Sequence, residues 1–324
     1  MAQEQSYAII DAPFSTEEVE NIYSIPRGST ILHSDDGITK VYNNAGQLLL
    51  SARDSEAYTL ATPNGLAKAT HVYEVPDGSF IYHVGNTTIV YSGGECVLTV
   101  INQQRNNESI VPDLSEWIEQ ANDWSVSALD WFRAEWDCPS DPPDPDNDAV
   151  NFIFNAIEPN YGLAIIQPVL EWNYGSSGCW TGTAWVVWDG GSYRSVSHVS
   201  VSEGDTIRGT MQFSPTIPYT NWWEVDFWNV SEGTHSMLWT SRINTDEDLA
   251  VFCALEGWSI GDDDDVPGDI YFCDMEFEYN GSNVDIQWNA YIDSGFDQIL
   301  SNLDVDFDNN PPIDDSWVTL YTDN

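Results

Sequence analysis

Beyond residue 150 the chain is broken into short apolar runs of five to nine residues: 151–156, 164–172, 184–188, 206–213, 222–229, 235–240, 249–255, 270–278 and 284–291. Valine, isoleucine, phenylalanine, tyrosine and tryptophan fill these runs, and Gly, Asn and Asp separate them at close spacing. β-Branched and aromatic side chains suit a pleated, half-buried surface, and frequent turn residues send each strand back along the last. Such a pattern predicts an antiparallel sandwich or barrel. The segment Val201-Ser202-Glu203-Gly204-Asp205-Thr206-Ile207 supplies an acidic turn entering one of its strands.

The first hundred residues carry an internal repeat. Pro26-Arg27-Gly28-Ser29-Thr30-Ile31-Leu32-His33 recurs 50 residues on, at Pro76-Asp77-Gly78-Ser79-Phe80-Ile81-Tyr82-His83, and Val41-Tyr42 recurs 49 residues on, at Val90-Tyr91. Pro-x-Gly-Ser reads as a turn opening short alternating strands. Two copies are too few for a propeller or solenoid, so a small module of two hairpin units is expected over residues 1–110. His33 and His83 occupy equivalent places and read as satisfied strand histidines.

Residues 111–137 are expected to form an amphipathic helix. Asp113 and Glu116 resemble a capping box, and Trp117, Ile118, Ala121, Trp124, Ala128, Leu129, Trp131, Phe132 and Trp136 give a broad apolar spacing. Residues 138–149, rich in Pro and Asp, read as a linker, with the sandwich domain over 150–324. The fold class expected is therefore mainly β: a C-terminal two-sheet antiparallel sandwich, a small N-terminal β module and one connecting helix.

Charge narrows the partners. Asp plus Glu number 53 against 9 Lys plus Arg, a formal charge of −44, so nucleic acid and anionic membranes are disfavoured. Such a balance suits work in acid or in high salt, or simple solubility. Aromatic residues make up 13%, with 15 Trp and 15 Tyr, enough to line a broad groove. Five scattered cysteines show no zinc spacing, and Cys253 and Cys273 are expected to be buried thiols rather than a disulfide. Without a basic start leading into an apolar run the chain as written reads as cytoplasmic, or as secreted if a leader has been removed.

Phosphate-binding loops, His-Glu-x-x-His and Gly-x-Ser-x-Gly are missing, and five histidines leave few bases for a triad. The Asp-x-Asp-x-Asp stretches at 144–148 and 304–308 lack the glycine of a calcium loop and read as solvated loops, so neither metal nor cofactor is expected. Two polar residues stand out instead: Gln167, in Ile165-Ile166-Gln167-Pro168-Val169, and Glu256, in Ala254-Leu255-Glu256-Gly257-Trp258. An unpaired amide or carboxylate in an apolar strand is costly to bury, so each needs a reason.

Residues 150 to about 290 resemble the eqolisins, glutamic peptidases built as a concanavalin A-like two-sheet sandwich. The resemblance rests on order and spacing. Phe154-Asn155-Ala156-Ile157-Glu158-Pro159 precedes Ile165-Ile166-Gln167-Pro168, and Glu171 follows by four residues. Ala184-Trp185-Val186-Val187-Trp188, the Ser202–Ile207 turn, Ala254–Trp258 and Ile270–Asp274 come next. The departures are Val187 between the tryptophans, Pro168 after the glutamine, one residue inserted beside Glu256, and the repeat module. The resemblance implies a Gln167/Glu256 dyad. Glu256 takes a proton from the attacking water and returns it to the leaving amine, and the Gln167 amide stabilises the oxyanion by about 3 kcal/mol. Glu158 and Glu171 would orient the pair, and Trp185, Trp188, Trp222 and Trp258 would line the groove. In the alternative reading the aromatic sheet is a carbohydrate-binding surface, or the cleft of an enzyme that acts on a small apolar metabolite. The bland reading of the pair is a mutual hydrogen bond across two strands.

Overall fold

The computed structural model describes residues 7–9, 23–63, 65–103, 116–145, 148–159, 164–174, 178–188, 191–214, 222–241, 249–309 and 316–322. Two large sheets dominate. The first runs, by neighbouring strands, Tyr23–Ile25, Tyr7–Ile9, Val72–Val75, Gly191–Ser195, Trp180–Trp188, Ala164–Trp172, Val150–Pro159, Leu249–Trp258, Trp117–Val126, Asn289–Ile292. The second runs Asp304–Phe307, Val318–Tyr321, Ile270–Tyr279, Trp131–Asp137, Thr206–Ser214, Trp222–Asn229, Thr234–Thr240, Ser79–Val84, Thr87–Ser92, Glu95–Asn102, Ser29–His33, Ile38–Tyr42, Leu48–Arg53. Among the described residues helices amount to short 3-10 turns, as at Asp54–Glu56 and Asp263–Asp265. None is long and apolar enough to cross a membrane.

Burial follows the strand period. Along Trp131–Asp137 and Thr206–Ser214 alternate side chains are buried, the mark of a sheet with one face in the core and one toward solvent. Ala164–Trp172, Trp180–Trp188 and Leu249–Trp258 are buried at every position, so both faces of the first sheet are covered at its centre. Ile153, Ile166, Leu170 and Val186 pack toward the second sheet, against residues such as Phe227, Val225 and Leu238. The two sheets approach closely at glycines. A Cβ on Gly182 would lie 1.8 Å from a Phe227 ring carbon, and one on Gly209 would lie 2.0 Å from Asn155 Oδ1.

The connecting helix expected over residues 111–137 is corrected. Trp117–Val126 and Trp131–Asp137 are strands, one in each sheet, and residues 113–115 lie outside the described residues. Trp117 to Asp123 are buried without a break, which a single-stripe helix cannot achieve, because strands flank them on both sides. In 131–137 the period of two (Phe132, Ala134 and Trp136 inside) was present all along. Helical spacing of apolar residues here came from aromatic density.

Both repeat units fold as three-stranded meanders, and their equivalences extend to single bonds. Ser29 N donates to Pro26 O and Ser79 N to Pro76 O, with Gly28 and Gly78 both at positive φ. His33 Nδ1 meets Thr39 Oγ1 at 2.7 Å and His83 Nδ1 meets Thr88 Oγ1 at 3.0 Å, and both histidines are buried. The N-terminal strands also join the large sheets. Val72–Val75 pairs in parallel with Gly191–Ser195, and Ser79–Val84 pairs in parallel with Thr234–Thr240. Cys253 is a buried thiol and Cys273 a half-buried one. Asp304 and Asp306 lie exposed on one face of a strand, and Asp146 lies outside the described residues.

Candidate active site

Laterally paired residues of a sheet project to one face, as do residues two apart along a strand. Gln167 stands opposite Trp185, Trp185 opposite Arg194, and Arg194 opposite Glu74. Glu171, four residues beyond Gln167, stands opposite Phe152, which on its other side faces Glu256. Gln167, Glu171, Glu256, Trp185 and Arg194 therefore share the face of the first sheet that points away from the second. Glu158, six residues beyond Phe152, joins them.

Register separates the proposed dyad. Glu256 lies in the row of Glu171, not of Gln167. Its Cα is displaced from that of Gln167 by two strands, roughly 10 Å, and by four residues, roughly 13 Å. Neither side chain touches the other. The Gln167 amide donates to the carbonyl of Pro63 at 2.5 Å, and Glu256 Oε1 accepts from Trp258 Nε1 at 2.8 Å. The nearer acid is Glu158. It stands beside Ala250, two residues from Ala156, which by regular register is opposite Gln167. Such diagonal neighbours have Cα atoms roughly 7–8 Å apart. Glu158 is 1% exposed, its carboxyl oxygens make no hydrogen bond among the described residues, and burial pushes its pKa up to about 9. It is thus a neutral acid at pH 7.

Glu171 is the centre of a buried polar network. Arg194 Nη2 is ion-paired with it, Trp185 Nε1 donates to it at 2.6 Å, and the Thr181 hydroxyl donates at 3.4 Å. Burial lifts the Glu171 carboxyl above its usual range, against the opposing pull of Arg194. The guanidinium also reaches Glu74 at 3.3 Å and lies over the Tyr174 ring, 4.6 Å from its centroid. Sequence reasoning missed Arg194, Glu74 and Tyr174. A signal was available: in a chain with 9 basic residues, an arginine inside the strand-like Ser192-Tyr193-Arg194-Ser195 calls for a buried acid.

The face is closed. Thr59–Thr62 and Gly65–Lys68 form a two-stranded hairpin, its turn held by Thr62 Oγ1 donating to Gly65 O at 2.7 Å. Leu60 and Ala61 are fully buried in one apolar cluster with Phe152, Phe154, Trp185 and Trp258. Gln167, Glu171 and Glu256 are each 0% exposed. The four tryptophans assigned to a groove do not stay together. Trp185 and Trp258 share this face, but Trp188 points between the sheets and stacks on His83 at 4.5 Å. Trp222 lies on the outer face of the second sheet, edge-on to Phe80 at 5.3 Å. An odd step along a strand moves a side chain to the other face, and membership of the other sheet moves it across the molecule.

His33, Asp54 and His71 bring potential ligand atoms within 4.8 Å of one another. Both ring nitrogens of His33 are engaged, by Thr39 and by Tyr73 OH at 2.6 Å. The two imidazoles stack at 3.9 Å, so their lone pairs run side by side rather than converging. The arrangement is that of a hydrogen-bonded cluster.

Neither a protein family nor a curated protein matches the sequence. Among solved structures, the chain is similar to scytalido-glutamic peptidase with a peptide-based transition state analog, at 18% identity and a TM-score of 0.44, covering 64% of this chain and 98% of that one. It is similar over the same shares to SCP-B, a member of the eqolisin family in complex with the tripeptide Ala-Ile-His, at 18% identity and a TM-score of 0.43. Aspergilloglutamic peptidase from Aspergillus niger aligns at 18% identity and a TM-score of 0.32, over 53% of this chain and 98% of that one.

Proposed function

We propose that this chain is an amide hydrolase of the glutamine–glutamate type, held closed by its own 59–68 hairpin. The observation that carries the reading is the 2.5 Å bond from the Gln167 amide to the Pro63 carbonyl. A backbone carbonyl is thereby presented to the one side-chain amide that the reaction needs as oxyanion donor. An N–H aimed at a carbonyl oxygen in a dry site stabilises the charge that develops there during attack.

With the hairpin displaced, a substrate strand would lie across the face, its carbonyl on Gln167. Glu256, oriented by Trp258 Nε1, would take a proton from water entering on the opposite side of that strand. Glu158 would donate its proton to the free Gln167 Oε1, fixing the amide with its N–H toward the carbonyl. Glu171, tied to Arg194, supports Trp185 beneath the substrate rather than reacting.

The test is to place a cleavable sequence between Thr62 and Gly65, cut it, and assay hydrolysis of denatured protein from pH 2 to 7. The cut protein is expected to hydrolyse substrate while the uncut protein does not, and Gln167→Glu or Glu256→Gln should each abolish the activity. A folded, cut protein without activity across that range, or activity indifferent to both substitutions, would sink the reading.

A further inference from the structure

The two Pro-x-Gly-Ser units share a property that the hydrolase reading does not use. In both, the strand after the turn is added in parallel to the edge of a hairpin. Ser29–His33 lies along Glu95–Asn102 with Ser29 opposite Leu98, and Gly28 N donates to Val97 O at 2.8 Å. Ser79–Val84 lies along Thr234–Thr240 with Ser79 opposite Leu238, and Gly78 N donates to Met237 O at 2.8 Å. In each case a glycine at positive φ bonds the carbonyl one residue before the partner of the serine. The residue before the glycine holds the host strand too: Asp77 Oδ1 accepts from Met237 N at 2.8 Å, and Arg27 pairs with Glu95 at 3.3 Å. Pro-x-Gly-Ser is thus a strand-docking device, used twice in one chain.

A third edge of the same build stands open. Leu48–Arg53 closes the first unit as Glu95–Asn102 closes the second. Val41 pairs with Leu50 and Val90 with Leu98, and the register slips just beyond each, leaving Leu49 and Val97 as equivalent bulged residues. Among the described residues no strand pairs with the outer side of Leu48–Arg53. Leu98 and Val100 are 2% and 1% exposed beside their added strand, whereas their counterparts Leu50 and Ala52 are half-buried and Leu48 and Leu49 are exposed. Open edges are ordinarily guarded by charge or proline. The far edge of this sheet, Asp304–Phe307, exposes Asp304 and Asp306, but Leu48–Arg53 carries a single charge, at its last residue. We infer that this edge binds a further Pro-x-Gly-Ser strand supplied by another polypeptide, laid parallel to Leu48–Arg53 with its glycine N–H on Leu49 O and its serine opposite Leu50. Main-chain bonds to a free edge supply affinity, and alternate side chains supply selection. The occupant's serine and the apolar residue two further on would cover Leu50 and Ala52, as Ser29 and Ile31 cover Leu98 and Val100. The counterpart of Glu95 is Gln47, so the occupant's second residue need not be basic. A second copy of this chain has no such strand to spare, since both of its own are docked.

The experiment is a fluorescence-anisotropy titration of the full chain into a labelled peptide of residues 75–84, with a scrambled peptide of the same composition as control. Saturable binding of the first and not of the second is expected. Asp54 N donates inward to Gly37 O at 2.9 Å, so by alternation the N–H of Ser51 points to the open side. Ser51→Pro therefore removes an outward donor without breaking a bond to Ile38–Tyr42, a place where an edge strand tolerates proline. It should weaken binding roughly ten-fold or more, while Ser51→Thr, which puts the counterpart of Thr99 there, should leave binding intact. A peptide carrying Gly78→Pro lacks the N–H for Leu49 O and should lose binding with the protein itself untouched. Circular dichroism and melting temperature check the fold of the variants. The inference is overturned if the peptide shows no saturable binding, if the scrambled peptide binds equally, or if the Gly78→Pro peptide binds as well as the original. Binding by a folded Ser51→Pro variant at wild-type strength would mean that the peptide displaces one of the chain's own docked strands, and also overturns it. So does a dimer in size-exclusion chromatography that Ser51→Pro dissociates, which would assign the edge to a second copy of the chain.

Discussion

Arg194→Met removes the guanidinium that pairs with Glu171 while keeping most of the side-chain volume. Both side chains of the pair are fully buried, so the carboxylate left behind has no water to turn to. Breaking a buried pair from one side costs about 3–5 kcal/mol. The loss is limited by the alternative open to Glu171, which is to bind a proton. Its pKa is already raised by burial even with Arg194 present, and removing the cation raises it further. The sign follows: a carboxyl with a raised folded-state pKa contributes most stability below its unfolded value and loses it as pH rises. The variant should therefore be destabilised by about 3–4 kcal/mol at pH 8 and distinctly less at pH 4.5, where a neutral Glu171 still accepts from Trp185 Nε1. Urea unfolding at the two pH values measures both. Arg194→Met with Glu171→Leu should return to within about 1 kcal/mol of the wild type, because a well-packed apolar pair replaces a buried ion pair at little cost. A single variant within 1 kcal/mol of wild type at pH 8, or a penalty that does not shrink in acid, would falsify the claim that this pair holds the floor of the site.

Glu158, whose pKa is pushed up to about 9, should make the fold acid-favoured: its contribution is complete below about pH 4.5 and is lost as pH rises toward 9. Melting temperature should fall between pH 5 and 8, and Glu158→Gln should flatten that slope by an amount on the order of 2–3 kcal/mol at pH 7. His33 acts in the opposite sense, since burial lowers its pKa to about 2 and its contribution is lost as pH falls below about 6.5. Gly182→Ala would set a methyl 1.8 Å from the Phe227 ring; a loss of about 3 kcal/mol or more is expected in chemical denaturation, largely relieved by Phe227→Leu. Leu60→Ala should cost about 2–5 kcal/mol and speed proteolysis within 59–68 if the hairpin is anchored by that side chain, as its full burial requires.

Local periodicity and turn chemistry alone determined a good deal. Short alternating runs specified sheets; the Pro-x-Gly-Ser repeats specified two like meanders; and the polar residues Gln167 and Glu256, in apolar runs, were recognisable as residues that must be buried with partners. A period of two also fixes which side chains share a face, so Gln167 and Glu171 belonged together from the start. Three things lay beyond it. Residues 111–137 read as a helix because the spacing of many large aromatics fits several periods at once, and only the flanking strands decide among them. The register between strands places Glu256 beside Glu171 rather than Gln167, and Trp222 in the other sheet altogether; backbone pairing sets that alignment, and no local pattern encodes it. Last, the cover over Gln167 comes from Pro63, 104 residues away. What a strand carries is written in its neighbours along the chain, but what lies on it is settled by segments that meet only when the chain has folded.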